Sequence, residues 1–170
     1  MTNPLKLRLG VVSERRSLED LQLRASLNNP GDRMALLANP EAIDLPAAQI
    51  LAGQVFVAER EEVVVGFASV FDRPDGNTEL DGLFVDPLHW RGGIGRALVD
   101  RCATYGRKLN AKAIHVIGNP HALEFYIAYG FFQIGTEQTR FGKGILMRKP
   151  YDSMVVQVAS PSNRCLPSNL

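Results

Sequence analysis

Val85-Asp86-Pro87-Leu88-His89-Trp90-Arg91-Gly92-Gly93-Ile94-Gly95-Arg96-Ala97-Leu98 is the stretch whose reading decides the fold. A strand pattern over residues 79–85 leads into it. A helical pattern over 95–109 leaves it, with Ala97, Leu98, Cys102 and Tyr105 on one side. Glycines in such a loop let backbone N–H groups turn toward a ligand without Cβ clashes. The helix N-terminus adds unpaired donors and the positive end of its dipole. Together they can cradle a pyrophosphate, with Arg91 and Arg96 adding charge at the rim. The same glycines also suit a plain, tight strand-to-helix connection, because glycine motifs are loose. Other phosphate-binding patterns do not fit. A Walker loop needs Gly-Lys-Ser/Thr, which is absent. A dinucleotide-binding turn needs a third glycine near position 98 and an acid about 20 residues on. Leu98 stands at the former, the next strand ends in Ile117-Gly118-Asn119 with no acid, and the approach over residues 86–90 is too long for that turn. A coenzyme A pyrophosphate loop remains.

Outward from this loop the pattern alternates between periods. Residues 6–12 read as a first strand, with Leu7, Leu9 and Val11 alternating. Ser17 reads as a helix N-cap, with Glu19 and Asp20 in the first turn and Leu18, Leu21 and Ala25 as the apolar stripe. Asn28-Asn29-Pro30-Gly31 breaks that helix, and short helices are expected over 33–38 and 46–52. Residues 55–59 and 63–71 form a hairpin across Arg60-Glu61-Glu62. Further strands fall at 79–85, 113–117, 131–135 and 145–148, with a helix over 121–129 that stops at Gly130. The order predicts an α/β fold (α+β in its mixed sheet) of about seven mostly antiparallel strands with helices on both faces. Residues 1–150 make one domain. Residues 151–170, rich in Ser, Pro and Asn, read as a partly disordered tail, against which only Val155, Val156 and Val158 suggest an added strand.

Composition narrows the function. The chain has 170 residues, 45% hydrophobic and 22% charged, which suits one compact domain with a real core. The net charge is +1, and there is no basic stripe of the kind nucleic-acid binders carry. Arg15-Arg16, bracketed by Glu14 and Glu19, reads as a solvated turn. Cys102 and Cys165 form no CxxC or Cys/His grouping, so no metal is expected. The first residues show no apolar h-region, and no stretch approaches the roughly 18 apolar residues of a membrane span. A cytoplasmic protein, without nucleic-acid or membrane partners, is expected.

A second block follows: Val116-Ile117-Gly118-Asn119-Pro120-His121-Ala122-Leu123-Glu124-Phe125-Tyr126-Ile127-Ala128-Tyr129-Gly130-Phe131. With the glycine loop it resembles the GNAT acetyltransferase superfamily. The family loop is Gln/Arg-x-x-Gly-x-Gly/Ala. Gly93, Ile94 and Gly95 match its second half, while its first position falls on Trp90, a departure. The likeness covers roughly residues 79–131, and the flanking strands by order only. It implies a GNAT acyl-CoA N-acyltransferase fold with acetyl-CoA as acetyl donor and no metal. It places the CoA phosphates on the amides of Arg91, Gly92, Gly93, Ile94, Gly95 and Arg96. The acceptor it implies is a small-molecule or peptide amine, and a homodimer is common in the family.

Individual residues carry two readings each. Asn119 suits an N-cap with Pro120 at N1; by resemblance it also bonds the pantetheine arm. Tyr126 suits an aromatic core; by resemblance it protonates the departing CoA thiolate, which a phenol of pKa about 10 can do for a thiolate near 8.5. Gly82 hints at a bulge. The resemblance implies that the strand holding Leu83, Phe84 and Val85 parts from its neighbour, that Leu83 and Val85 pair with the pantetheine, and that an N–H at Phe84 or Val85 faces the thioester oxygen. Glu79 is either a surface acid or, as in some family members, the base, and Asp81, two residues on, shares its face unless a bulge intervenes. His115 and His121 are acid–base candidates, though a lone histidine is more often structural, and Cys102 reads as inert core. Arg24, Ser26 and Arg140 are candidates for the acceptor pocket. Against the enzyme stands one alternative, a non-catalytic acetyl-CoA sensor or regulatory module.

Overall fold

A computed structural model describes residues 3–151; the expected tail beyond them, with Val155, Val156 and Val158, lies outside the described residues. Strand β1 (Lys6–Leu9) is followed by a 3₁₀ turn and helices α1 (Arg15–Asn28), α2 (Pro30–Ala38) and α3 (Ala47–Leu51). Strands β2 (Val55–Arg60), β3 (Val63–Asp72) and β4 (Thr78–Val85) come next, then α4 (Ile94–Lys108), β5 (Ala113–Gly118), α5 (Leu123–Ala128), β6 (Phe132–Thr139) and β7 (Gly142–Pro150). The seven strands form one sheet in the order β1-β2-β3-β4-β5-β7-β6. Every pairing is antiparallel except β4 with β5. The mixed seven-stranded sheet expected from the sequence is therefore present.

Two apolar clusters hold the helices on opposite faces. Val70, Leu80, Leu98, Cys102, Ile114 and Met147 belong to the larger one, under α4 and α5. Leu18, Leu21, Ile50, Val55, Val57 and Phe67 form the smaller, under α1 and α3. The β2–β3 hairpin closes through Glu61 and Glu62 at φ 52° and 64°, the left-handed pair whose twist matches that of the flanking strands.

Helix starts differ from the sequence reading. Helix α1 begins at Arg15, two residues before Ser17, whose hydroxyl donates back to Glu14 O at 2.8 Å. Asn29-Pro30 ends one helix but also starts the next: the Asn29 side chain accepts from Gly31 N–H, and Pro30 occupies the first turn, where its missing donor costs nothing.

Packing of the described residues takes in Tyr151. Tyr151 is buried, its hydroxyl bonds Thr78 Oγ1 at 2.8 Å, and Arg107 lies over its ring at 5.1 Å. A Cβ on Gly106 would fall 2.1 Å from that hydroxyl, so α4 is shaped to receive it. Ending the chain after Pro150 is expected to cost on the order of 3 kcal/mol, the scale of deleting a buried aromatic. Ending it after Tyr151 is expected to leave thermal melting unchanged. Equal melting of the two truncations would show that Tyr151 adds nothing.

Candidate active site

Strands β4 and β5 pair only through Thr78–Ile114, Glu79–His115 and Leu80–Val116. Beyond these residues β4 stays with β3 and β5 stays with β7, so the sheet opens between them. The cause is local. Ser69 pairs with Gly82 while Val70 pairs with Leu80, leaving Asp81 as the extra residue of a bulge. Leu80 and Leu83, three apart, consequently pack into the same cluster, which an unbroken strand would forbid. The bulge expected at Gly82 thus falls one residue earlier, and Glu79 and Asp81 do not sit as a simple same-face pair. Gly82 is needed for a different reason: a Cβ there would lie 2.8 Å from the Phe84 ring.

The ladder also decides which backbone groups face the opening. Asp86 N–H donates to Val65 O at 2.9 Å, which marks Gly66–Val85 as a non-hydrogen-bonded pair. The N–H and C=O of Val85 therefore point away from β3, as do those of Leu83 two residues earlier. Phe84 directs its own toward β3, so of the two N–H groups expected at the gap only that of Val85 is there. The Val85 carbonyl is taken by Trp90 Nε1 at 2.7 Å, while the Val85 N–H, turned away from β3, has no partner among the described residues.

Trp90 fastens the glycine loop to the end of β4. Asp86 holds the loop's start by accepting from Leu88 N–H at 3.0 Å and Arg24 at 3.1 Å. Burial pushes the Asp86 carboxyl up, but these two partners outweigh it and its pKa lies below the ordinary value. Arg24 is thus a brace for the loop and does not line the groove, contrary to the sequence expectation. Arg91 and Gly93 take left-handed φ of 64° and 75°, and among the described residues no side chain caps α4. Its first amides face outward in the turn where an anion can meet them. Ile94 buries its side chain and offers only its amide. Arg96 lies over the Tyr129 ring at 5.8 Å. Gly95 packs closely on the neighbouring helix: a Cβ there would be 3.1 Å from Phe125 Cζ, so that ring would have to give.

A groove of about 690 Å³ runs along the opening. Glu79, Asp81, Leu83, Phe84, Asn119 and Tyr126 all line it, so residues up to 47 apart in sequence converge. Ser26, His121 and Arg140 line it too; Val85 and the loop residues Arg91 to Arg96 lie beyond. Tyr126 is buried, with Phe125 and Phe131 ring centroids at 5.1 Å and 5.2 Å. Burial first, then the charge of Asp32, pushes its phenol well above the usual value. Asn119 Oδ1 accepts from His121 N–H at 2.9 Å, the N-cap role read from sequence, and its Nδ2 donates to Asp32 Oδ1 at 2.8 Å. Glu79 is mostly buried, 13% exposed, with Arg73 on its Oε2 at 2.5 Å.

Other candidates fall outside the groove. His115 Nε2 is buried with no partner among the described residues, and burial, then Arg73, lowers its pKa. Cys102 is fully buried and its thiol is pushed up to about 12 by burial, which suits inert core. Among the described residues no group of three or more His, Cys, Asp or Glu could hold a metal ion, and no helix is long and apolar enough to cross a membrane. Sequence reading missed Asp32, which lines the groove. Locally it is only an acid in a helix's first turn, a commonplace position.

Known proteins share this geometry. No curated protein matches the chain. Among solved structures it is similar to the PaiA N-acetyltransferase of Thermoplasma acidophilum in complex with coenzyme A, at 15% identity and TM-score 0.72, covering 87% of this chain and 99% of that one. Ard1 of Thermoplasma volcanium matches at 19% identity and TM-score 0.69, covering 88% and 99%. The ribosomal-protein-alanine N-acetyltransferase of Brucella melitensis matches at 24% and 0.62, covering 86% and 99%. These likenesses concern the fold. The acetyltransferase (GNAT) family itself matches residues 24–131, from within α1 to the end of the Asn119–Phe131 block. A match over most of the chain that takes in the parted strands, the glycine loop and the Tyr126 helix leaves one conclusion: the protein belongs to the GNAT acetyltransferase family.

Proposed function

We propose that the protein transfers an acetyl group from acetyl-CoA directly to a primary amine within a ternary complex. The observation that carries this reading is the opening between β4 and β5, with Tyr126 inside it and the Val85 N–H on its edge. CoA's pyrophosphate lies on the amides of residues 91–96. Its pantetheine runs beside Leu83 and Val85 and reaches Asn119. The acceptor enters as an ammonium and loses one proton. The neutral amine then adds to the thioester carbon, whose oxygen takes the Val85 N–H as the oxyanion forms. The C–S bond breaks as Tyr126 gives its proton to the thiolate. The proton shed by the new amide nitrogen restores the phenol, so one proton leaves per turnover. Holding both substrates in place supplies much of the rate. Thiol release from acetyl-CoA across an amine panel tests this. Binding of CoA without thiol release on any amine would instead make the protein a sensor or regulatory module.

Glu79 is the candidate base, with Asp81 next. Its Oε2 is engaged by Arg73 and its Oε1 has no hydrogen-bond partner among the described residues. A lysine-like amine has a pKa of about 10, so below that pH most acceptor carries an extra proton. If Glu79 accepts it, Glu79→Gln depresses the rate most at low pH, and the loss shrinks as pH rises and the amine deprotonates unaided. A profile that parallels wild type would exclude Glu79 and move the experiment to Asp81→Asn.

A further inference from the structure

Asp32 lies in the first turn of α2, which packs against the 3₁₀ turn after β5 closely enough that a Cβ on Gly31 would fall 2.2 Å from Asn119 Nδ2. Asn119 accepts from His121 N–H with its oxygen, so its nitrogen is the end facing Asp32, where it donates to Oδ1. Among the described residues the other oxygen, Oδ2, has no hydrogen-bond partner and the carboxylate pairs with no cation. The other acids at this end of the molecule are placed differently. Glu79 has Arg73, Asp86 has Arg24, and Asp81 stands exposed on its bulge. Asp32 is also near enough to Tyr126 for its charge to act on the phenol. Among the described residues this carboxylate therefore carries an unpaired negative charge into the groove that Tyr126 also lines.

The surroundings of that charge narrow its partner. Ala35, Leu36 and Ile43 continue the wall from α2, and Phe84 faces the same groove. This surface suits a ligand that carries an apolar body on its charged group. At the β6–β7 turn, Arg140 and Lys143 line the groove, are exposed, and make no ion pair among the described residues. A ligand with a second positive charge would meet them unfavourably.

We propose that Asp32 anchors the acceptor: its free carboxylate oxygen pairs with the ammonium of a monoamine bearing an apolar or aromatic body, in preference to a polyamine. This rests on the acetyl-transfer reading above and names the substrate class for that site. Asp32→Asn is the suitable variant, because the new amide oxygen can still accept from Asn119 and the helix–turn contact survives.

The test uses 2-phenylethylamine and spermidine as probes, with the full chain in its CoA complex. Calorimetry is expected to show 2-phenylethylamine binding to wild type more tightly than spermidine. Asp32→Asn is expected to weaken 2-phenylethylamine about tenfold or more, the scale of losing a charged hydrogen bond, with CoA affinity within about twofold. Asp32→Glu is expected to restore part of the loss, which a packing role for Asp32 would not do. In steady state the loss is expected in the amine KM more than in kcat. Equal amine affinity in wild type and Asp32→Asn overturns the proposal. So does tighter binding of spermidine, or a loss confined to CoA. Amine binding that depends on Asp32 without any thiol release would leave the anchor standing and sink the transferase reading, so the two fail separately.

Discussion

Tyr126→Phe is expected to lower turnover roughly 10- to 1,000-fold while leaving acetyl-CoA affinity unchanged, toward the lower end of the roughly 100- to 10,000-fold scale for removing a general acid. The substitution is clean because the ring and the hydroxyl do separate things. The ring packs edge-on against Phe125 and Phe131 and closely over Gly118, where a Cβ would be 3.3 Å away. Phenylalanine keeps all of that. What goes is the hydroxyl, which feels the charge of Asp32. Burial and that negative charge both disfavour the phenolate and raise the pKa. A raised pKa keeps the proton on past the ordinary value near 10, so the donor form is present throughout the neutral range. No alkaline fall in rate should arise from Tyr126 below that ordinary value. A pre-steady-state measurement of thiol release checks the variant. A rate within about twofold of wild type, with chemistry limiting, would make Tyr126 a packing residue.

Gly93→Val is expected to weaken acetyl-CoA binding by about 100-fold or more. Gly93 holds φ at +75° with nothing within 4 Å of where a Cβ would stand, so the cost is of backbone conformation and not of a clash. A β-branched residue tolerates that φ poorly. The loop relaxes by turning its amides out of the cradle. Losing two charge-assisted hydrogen bonds at about 1.5 kcal/mol each gives a factor of about 100. Gly95→Val is a poorer test, because its Cβ would press on the Phe125 ring at 3.1 Å and disturb the α4–α5 contact as well. Calorimetry on a variant shown to be folded decides the matter, and unchanged affinity would remove the cradle from its assigned place.

Much of this protein could be read without coordinates, and what could be read is local. The hairpin about Glu61-Glu62, the glycines ahead of α4 and the Asn119-Pro120 cap depend on near neighbours in the chain. The mixed sheet and the family resemblance followed from that order of elements and from two short blocks. What needed the tertiary structure are pairings across long sequence separations. No local pattern puts Asp32 against Asn119, 87 residues away, or Arg24 against Asp86, 62 away. Nor does any local pattern show that Gly95 is small for Phe125, that Tyr151 fills the space left by Gly106, or that the bulge falls on Asp81. Side-chain period reports which face a residue takes within its own element. Which partner waits on that face is set by how the elements pack, and α2 meets the turn after β5 only once the whole sheet between them has formed.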